Sequence, residues 1–415
     1  MQIDVWIPTW ASPQRLFDDL GPEPCDVCQT LHLPSRFCGR IISLVKGVRE
    51  PNHGSGWDCA GVEREFAIAP YHDNSDCMMS VPNALTVDVE DYFHVAAFAP
   101  NIRRESWNSR ESRVVGNTQK LLAIFEQFNV KGTFFVLGWV AERYPRLIRE
   151  IAARGHEVAC HGFSHRLVYE QSQKEFYEET LHAKNLLQDI TGSAVLGYRA
   201  ASYSIVRKSL WALDILVELG FAYDSSIFPV RHDRYGIPNA ERAPHRMSTP
   251  TGKFIVEWPL ATARIFGCRI PVAGGGYFRL LPYWLSRWGL ASINRRDLQP
   301  FIFYLHPWEI DPEQPRVSTS WLSRFRHYTN LGQCEERLRR VLGEFRFGTA
   351  RDGLVRLGLL SEAGVQSAQE QGIASLEYGR RDSRAIVTRV KGTVPGAGDV
   401  IVHDEHEKAE RGKLL

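Results

Sequence analysis

The segment His156-Glu157-Val158-Ala159-Cys160-His161-Gly162-Phe163-Ser164-His165 leads from a short apolar run into two histidines that are four residues apart. Neutral imidazoles are the commonest protein ligands of zinc-like ions, and a catalytic site needs only three protein ligands because one position stays open for water. Two unrelated histidines of a core or a surface also produce this spacing. The pair therefore indicates a metal site only if another segment supplies an acidic ligand.

An acidic cluster earlier in the chain can supply that ligand. The apolar run 84–87 is followed closely by Asp88, Glu90 and Asp91. Along an extended backbone, alternate side chains point to opposite faces, so Asp88 and Glu90 would share a face that Asp91 does not. We therefore favour Glu90 as the ligand, whereas a turn that begins at Val89 would transfer this role to Asp91. The alternative for Asp91 is a helix N-cap or a carboxylate in a loop.

Helical and extended patterns alternate through the middle of the chain. Apolar residues recur at helical spacing between 114 and 128 and are followed by the β-branched and aromatic run Thr133–Val136. Further helical faces occupy 176–190 and 210–217, and this alternation calls for parallel strands joined by crossover helices. Because the polar motifs follow apolar runs, they fall where a (β/α) barrel gathers its active site. An open, doubly wound sheet fits the periodicity equally well.

Six motifs, including the acidic cluster and the histidine pair, follow one another in a fixed order. The other four are Gly132-Thr133-Phe134-Phe135-Val136, Gly197-Tyr198-Arg199-Ala200-Ala201-Ser202-Tyr203, Tyr223-Asp224-Ser225-Ser226 and Phe301-Ile302-Phe303-Tyr304-Leu305-His306-Pro307-Trp308. In order, spacing and flanking residues they resemble the NodB-type polysaccharide deacetylases, carbohydrate esterase family 4, over about residues 84–310. The resemblance implies an α/β fold, a distorted (β/α)7 barrel of the NodB type with flanking N- and C-terminal extensions.

A narrower likeness covers the later part of the chain. The segments Gly274–Pro282 and His306–Pro315 resemble a subgroup encoded with exosortase (PEP-CTERM) exopolysaccharide loci, and Ser323–Tyr328 extends this likeness to about residue 350. The resemblance implies a deacetylase domain over 79–350, with a subgroup-specific part at about 270–350.

The resemblance also implies catalytic roles. Asp88 matches the family's catalytic base, and the second acidic residue of its motif matches a metal ligand beside His161 and His165. This chain departs from the family's adjacent acidic pair, because Val89 separates Asp88 from Glu90. His306 matches the general acid, although here the leucine of the family's Leu-x-x-His motif is directly adjacent.

Arg199 matches the arginine that orients the base in the family's Arg-x-Pro-Tyr motif. The proline is absent from this chain, which puts in doubt whether a backbone N–H of this loop completes an oxyanion hole. Asp224 is a candidate to tune His306 or Arg199, with a capping role as the alternative. Tyr203, Tyr277 and Trp308 are candidates to contact the sugar, since sugar faces stack on aromatic rings.

Composition limits the possible partners. The chain has 415 residues, of which 44% are hydrophobic and 24% charged, and its net charge of +2 argues against a polyanionic partner. Lys and Arg are spread along the chain, without the basic stripe that nucleic acid requires. No apolar run approaches the roughly 20 residues that span a bilayer. The start at Met1 lacks the basic and apolar regions of a signal peptide. We therefore expect a cytoplasmic protein with no nucleic-acid partner and no integral membrane segment.

The two ends differ from the middle. Residues 1–78 carry scattered prolines and glycines and five of the eight cysteines, and they resemble no part of the family. We interpret them as a poorly ordered extension, with a small zinc knuckle around Cys25 and Cys28 as the alternative. From 361 the composition turns polar and charged, which predicts a largely disordered tail over 361–415.

The combined motifs predict a hydrolase that uses a divalent metal ion to remove N-acetyl groups from a polysaccharide, or its precursor, in exopolysaccharide biosynthesis. Zn²⁺ is the favoured ion, and Co²⁺, Mn²⁺ and Ni²⁺ are alternatives. An allantoinase-like hydrolase of small amides is a second hypothesis, and a carbohydrate-binding protein without turnover is a third. The sugar and the oligomeric state stay open.

Overall fold

The computed structural model describes residues 81–366, with the exception of 233 and 266–267. The predicted extension over 1–78, with its possible zinc knuckle, lies outside the described residues. So does all of the predicted tail beyond 366. The division into domains therefore stays a prediction.

Some of the strands fall close to the predicted extended segments, and others were not predicted. Among the described residues they are β1 Asn83–Val89, β2 Thr133–Val136, β3 Glu157–Cys160, β4 Gly197–Tyr198, β5 Tyr223–Asp224, β6 His245–Ser248, β7 Phe254–Glu257, β8 Thr262–Ile265, β9 Cys268–Pro271, β10 Ile302–Leu305 and β11 Phe347–Gly348.

One large sheet organises the described residues. Its strand order is β10-β1-β2-β3-β4-β5-β7-β6, and β11 also pairs with β1. Successive strands from β10 to β7 are parallel, whereas β6 is antiparallel to β7. The strands β8 and β9 form a separate antiparallel pair. The sheet is a curled, mainly parallel half-barrel, so the predicted α/β fold with parallel strands and crossover helices is confirmed.

Helices connect most of these strands. They are α1 Val114–Gln127, α2 Gly138–Arg143, α3 Pro145–Ala153, α4 Gln173–Thr191, α5 Trp211–Glu218, α6 Gly275–Leu280, α7 Tyr283–Arg295, α8 Trp321–Tyr328, α9 Leu331–Glu344 and α10 Ala350–Arg356. A search of the described residues finds no helix with the length and apolar character needed to cross a membrane.

Burial explains why the central strands are so apolar. All seven residues of β1 are buried, as expected for a parallel strand that is covered on both faces. The helix α4 begins with a capping box between Ser172 and Glu175 and ends at Gly192 in the left-handed conformation. These local signals fix where the connection from β3 to β4 enters and leaves its helix.

A second apolar cluster covers the carboxyl ends of β1 and β10. Its buried members are Tyr92, Phe93, Phe98, Ile102, Trp107, Trp308 and Leu331. The first of these residues follow β1 in the chain and Trp308 follows β10, so the loops at the ends of two adjacent strands pack together. This packing brings the two polar motifs of these loops to one place.

Candidate active site

The polar motif residues lie at one edge of the sheet. Asp88 is the second-last residue of β1, and Glu90 directly follows that strand. His161 follows β3, and His306 follows β10. Arg199 follows β4. Carboxyl ends of parallel strands meet at the same edge, which explains how residues from distant segments converge.

Glu90, His161 and His165 form a buried cluster. One ligand atom from each residue lies within 4.8 Å of those of the other two. The Nδ1 atom of His161 is 2.8 Å from the carbonyl oxygen of Arg199, which fixes the ring and leaves Nε2 on its other side. The Nε2 atom of His165 is 2.8 Å from Glu90 Oε2.

The charges of this cluster suit a divalent cation. Burial alone would raise the pKa of Glu90, but the neighbouring histidines hold it below its usual range. Burial lowers the pKa of His161 to about 4, so its imidazole is neutral at physiological pH. Glu90 Oε2 is buried, and it lies 2.8 Å from Nε2 of His165. A carboxylate beside two imidazoles is a donor set that fits a zinc-like ion.

Asp91 lies outside this cluster. Its Oδ1 accepts from the backbone N–H of Tyr92 at 2.9 Å. Its Oδ2 accepts from the Ser112 hydroxyl at 2.8 Å and from the backbone N–H groups of Arg113 and Val114 at 2.8 and 3.1 Å. These are the contacts of a cap, the alternative that the sequence left open for this residue.

Asp88 is paired with a buried arginine. Nη1 of Arg199 donates to Asp88 Oδ1 at 2.6 Å and to the Thr86 hydroxyl at 2.8 Å, and the remainder of the guanidinium donates to the carbonyl and hydroxyl oxygens of Ser225. Arg199 is fully buried. The Tyr203 hydroxyl is 3.5 Å from Asp88 Oδ2. The carboxylate is therefore fixed through one oxygen, while the other lies towards the cluster.

His306 lies close to both Glu90 and Asp88. Its Nε2 atom is 3.4 Å from Glu90 Oε1 and 3.9 Å from Asp88 Oδ2. Its Nδ1 atom is 3.1 Å from Oε2 of Glu309, whose Oε1 accepts from Arg279 Nε at 2.7 Å. Burial would lower the pKa of His306, but the three carboxylates together raise it to about 9. Sequence reasoning missed Glu309 and Arg279, although the spacing of three residues after His306 is that of a capping box.

Asp224 is linked to the loop that follows Arg199 through the hydroxyl of Ser226. It accepts from the Ser226 hydroxyl at 2.5 Å, and the same hydroxyl accepts from the backbone N–H of Ala200 at 2.8 Å. Its other neighbour is Glu257, the residue opposite it on β7. Burial and the charge of Asp224 raise the pKa of Glu257. The two carboxyl groups therefore form a buried pair that supports the loop from behind.

The loop after β4 is strained. Ser202 and Tyr203 both have positive φ angles, of 50° and 55°. The backbone N–H of Tyr203 donates to the carbonyl of Ala200 at 3.0 Å. That N–H is thus already engaged within the loop, while the strain indicates a conformation that its surroundings impose.

The three aromatic candidates occupy different environments. Tyr203 is buried beside Asp88, and the half-buried Tyr277 has its hydroxyl 3.3 Å from that of Tyr235. Trp308 is buried, with His306 stacked on the ring at a centroid distance of 5.0 Å and His327 stacked at 4.2 Å. Because stacked rings already contact Trp308, a sugar has little ring face left to cover.

An open groove of about 450 Å³ lies beside the segment that follows β1. Two tryptophans in its lining, Trp107 and Trp139, contact the ring of His94, which follows the acidic motif. The other lining residues are Asn108, Arg110, Ser112, Glu142, Arg143 and Tyr144. This combination of aromatic and polar side chains is the kind that sugars contact.

Two family models match adjacent parts of the chain. The model described as polysaccharide deacetylase matches residues 110–223. The model described as a domain of unknown function, DUF3473, matches residues 225–354. His161, His165 and Arg199 lie in the first part, and His306 lies in the second.

Similar proteins bear related names. A peptidoglycan deacetylase from Helicobacter pylori is 31% identical over 108 residues, which cover 26% of this chain and 36% of that protein. A chitooligosaccharide deacetylase from Bradyrhizobium is 32% identical over 99 residues, which cover 24% of this chain and 43% of that protein. A solved structure of a putative polysaccharide deacetylase from Mycobacterium smegmatis has a TM-score of 0.45 and 20% identity, covering 70% of this chain and 94% of that one.

The family model and the two curated relatives show that part of this chain is similar to polysaccharide deacetylases. The chain spans less than half the length of the two curated relatives that it matches.

Proposed function

We propose that the chain is a metal-dependent hydrolase that removes N-acetyl groups from a polysaccharide or its precursor. One observation carries this proposal: His306 Nε2 lies 3.4 Å from Glu90 and 3.9 Å from Asp88. Asp88 contacts a buried arginine directly, and His306 is linked to another through Glu309. Amide hydrolysis needs a group that takes a proton from water and another that gives a proton to the departing amine. Asp88 is proposed for the first of these tasks and His306 for the second.

A divalent ion would be held by Glu90, His161 and His165, whose donor set fits it. When bound, it would supply Lewis-acid activation of water and of the acetyl carbonyl. Zn²⁺ suits these ligands best, and Co²⁺, Mn²⁺ and Ni²⁺ are the alternatives.

Asp88 acts as the base in this proposal. Arg199 holds one carboxylate oxygen at 2.6 Å, which keeps the carboxylate oriented and leaves the second oxygen to accept a proton. Tyr203 is the nearest hydroxyl to that second oxygen. The buried guanidinium also neutralises the negative charge, so the carboxylate is tolerated in a site that excludes water.

His306 acts as the acid. Its raised pKa, about 9, keeps the imidazole protonated at neutral pH, which is the form that donates. Nδ1–H is directed at Glu309, so the proton to be transferred is the one on Nε2. That nitrogen faces Asp88 and Glu90.

The substrate class follows from the relatives' names and the groove. Those relatives are named for the deacetylation of peptidoglycan and of chitooligosaccharide. For this chain we propose an N-acetylated polysaccharide that belongs to exopolysaccharide biosynthesis, in the exosortase-linked subgroup. The support for the subgroup is the pair of motifs at 274–282 and 306–315, which meet in the contact between Arg279 and Glu309.

Acetate release tests the proposal most directly. The metal content of the purified chain is measured first, and acetate is then assayed with N-acetylated chitooligosaccharides, peptidoglycan fragments and N-acetylated exopolysaccharide, with allantoin as a comparison. We expect acetate from at least one glycan and none after chelation of the metal. Glycan binding without acetate would favour a non-catalytic binding protein, and ring opening of allantoin alone would favour the small-amide hydrolase.

A further inference from the structure

We infer that Glu309 is the positioning residue of the general acid His306, and that Arg279 in turn fixes Glu309. This inference rests on the proposed function, because it concerns the same site. It assigns a task to two residues of the segment that matches a domain of unknown function.

A single carboxylate oxygen of Glu309 contacts His306 at two atoms. Its Oε2 accepts from the backbone N–H of His306 at 3.0 Å and lies 3.1 Å from ring Nδ1. One contact fixes the backbone and the other fixes the rotation of the ring about its side-chain bonds. With Nδ1–H committed to Glu309, Nε2 is the nitrogen that faces Asp88 and Glu90. The carboxylate thus selects both the tautomer and the direction of the ring.

Arg279 keeps the other oxygen of that carboxylate in place. Its Nε donates to Glu309 Oε1 at 2.7 Å, while its Nη atoms donate to the backbone carbonyls of His327, Thr329 and Arg326 at 2.8, 2.9 and 3.2 Å. The arginine is buried, and its donors are distributed over a carboxylate and three carbonyls. A guanidinium fork held in this way has little freedom to release Glu309.

Stacked rings restrict the same unit from the side. The Trp308 ring lies nearly parallel to His306 at an angle of 21° and to His327 at 19°. The Arg279 guanidinium lies 5.4 Å from the centre of the Trp308 ring. Rotation of the His306 ring out of the site would therefore require Trp308 to move as well.

The backbone before Arg279 explains how it reaches this place. Gly274 has a φ of 135°, and a Cβ at this position would overlap the carbonyl oxygen of Tyr304. It forms a parallel bridge with Tyr304, two residues before His306. The helix α6 therefore starts at the edge of β10 and carries Arg279 towards the loop that follows that strand.

The carboxylate that the sequence offered for tuning His306, that of Asp224, has other partners. Asp224 accepts from Ser226 and pairs with Glu257. In the described part of the chain, Glu309 is the carboxylate that contacts His306 Nδ1. It accepts that hydrogen bond throughout the reaction and takes no proton, while the transferred proton leaves from Nε2.

A double-mutant cycle tests the inference. The variants are Glu309→Gln, His306→Ala and their combination, and the exposed Glu313→Gln in the same loop is the matched control. We expect Glu309→Gln to lower kcat for the N-acetyl substrate by about 10²-fold with little change in KM, since loss of the carboxylate that orients a catalytic imidazole costs up to about 10⁴-fold. In the His306→Ala background the same change should cost nothing further.

Additive losses in the cycle would overturn the inference, because Glu309 would then act without His306. Glu309→Asp provides a second variant that keeps the charge towards Arg279 and shortens the reach to His306, and it should retain the fold with an intermediate loss of kcat. Unchanged kcat in both Glu309 variants would also overturn it.

A measurement that needs no turnover separates this inference from the proposed function. In protein labelled with ¹⁵N-histidine and freed of metal, the His306 signals are those absent from His306→Ala. Glu309→Gln should shift the His306 Nδ1 signal and accelerate exchange of its proton, whereas Glu313→Gln should do neither. An unmoved Nδ1 signal refutes the positioning role. Absence of acetate release from the parent protein contradicts the proposed function alone.

Discussion

Asp88 and His306 are both anchored by a buried arginine, but by different routes. Arg199 contacts Asp88 directly, at 2.6 Å. Arg279 contacts Glu309, and Glu309 in turn contacts His306. The Asp88 side of the site therefore has two groups in contact, the arginine and the carboxylate. The His306 side has three, because Glu309 lies between the arginine and the imidazole. The group that faces the cluster is an anion on the first side and an imidazole on the second.

This difference of one link decides which kind of group faces the cluster. Arg199 contacts Asp88 directly and orients its carboxylate. Glu309 contacts the imidazole of His306, favours its protonated form and contributes to a pKa of about 9. An oriented carboxylate and a protonated imidazole are the groups that a base and an acid require.

The largest expected effect concerns the cluster between the two sides. Glu90→Gln removes the anionic ligand, so bound metal should fall by more than the roughly 10–100-fold that loss of an outer contact costs, and turnover should stop. Asp91→Asn is the matched control, since Asp91 caps a turn outside the cluster. It should retain metal and lose little stability, because Asn caps about as well as Asp. Metal analysis and thermal unfolding decide the matter, and metal loss in Asp91→Asn alone would transfer the ligand role.

On the base side, Asp88→Asn should leave the three cluster residues intact and slow deacetylation by about 10²–10⁴-fold. The amide no longer takes the proton of water, so an activated aryl acetate ester should be slowed as well as the N-acetyl sugar. Kinetics with both substrates, together with metal analysis, provide the test. An unimpaired ester rate would remove Asp88 from the role of base.

On the acid side, His306→Ala should slow release of acetate from the sugar by a similar factor. The ester should be hydrolysed at nearly the parent rate, because a good leaving group departs without protonation. The two substrates are compared in this variant under the same conditions as for Asp88→Asn. Equal losses of both activities in both variants would refute the division between base and acid.

The smallest effect concerns the pair behind the base. Burial raises the pKa of Glu257 above its ordinary 4.5, so its contribution to stability is complete at acidic pH and is lost as pH rises through the raised value. Glu257→Gln stays neutral at all pH values. Between about pH 5 and pH 8 the parent should therefore lose stability relative to this variant.

Chemical denaturation across this pH range measures the difference. The exposed Glu336→Gln is the control, and its stability curve should run parallel to that of the parent. If the Glu257→Gln curve is parallel as well, the two carboxyl groups do not share a proton in the folded protein.

Periodicity was sufficient for the parts of the fold whose burial follows a simple repeat. The helical pattern over 114–128 corresponds to Val114–Gln127, and the predicted strand Thr133–Val136 has the same limits in the structure. The strand pairs β6–β7 and β8–β9 were not predicted, because antiparallel partners of four residues carry too few alternations to stand out. Long buried elements are therefore the ones that a single sequence reveals.

The site shows the same limit. Its convergence at one sheet edge could be predicted, since polar residues end apolar runs. Alternation also favoured Glu90 over Asp91, even though the Glu90 N–H already turns back to the Asp88 carbonyl at 3.0 Å. The contact between Arg279 and Glu309 could not be predicted, because it joins residues 30 positions apart through a helix and a strand. Pairing of this kind depends on tertiary packing and leaves no local pattern.

The placement of β10 beside β1 has a consequence for biosynthesis. The Thr86 hydroxyl donates to the carbonyl of Phe303, 217 residues later in the chain. At the usual ribosomal rate of about 5–20 residues per second, β1 waits on the order of 10–40 s for this neighbour. During that interval one edge of β1 has open backbone groups that can pair wrongly with other nascent chains. We expect chaperone contacts to concentrate on this interval, and the ribosome releases the residues of the cluster well before it releases His306.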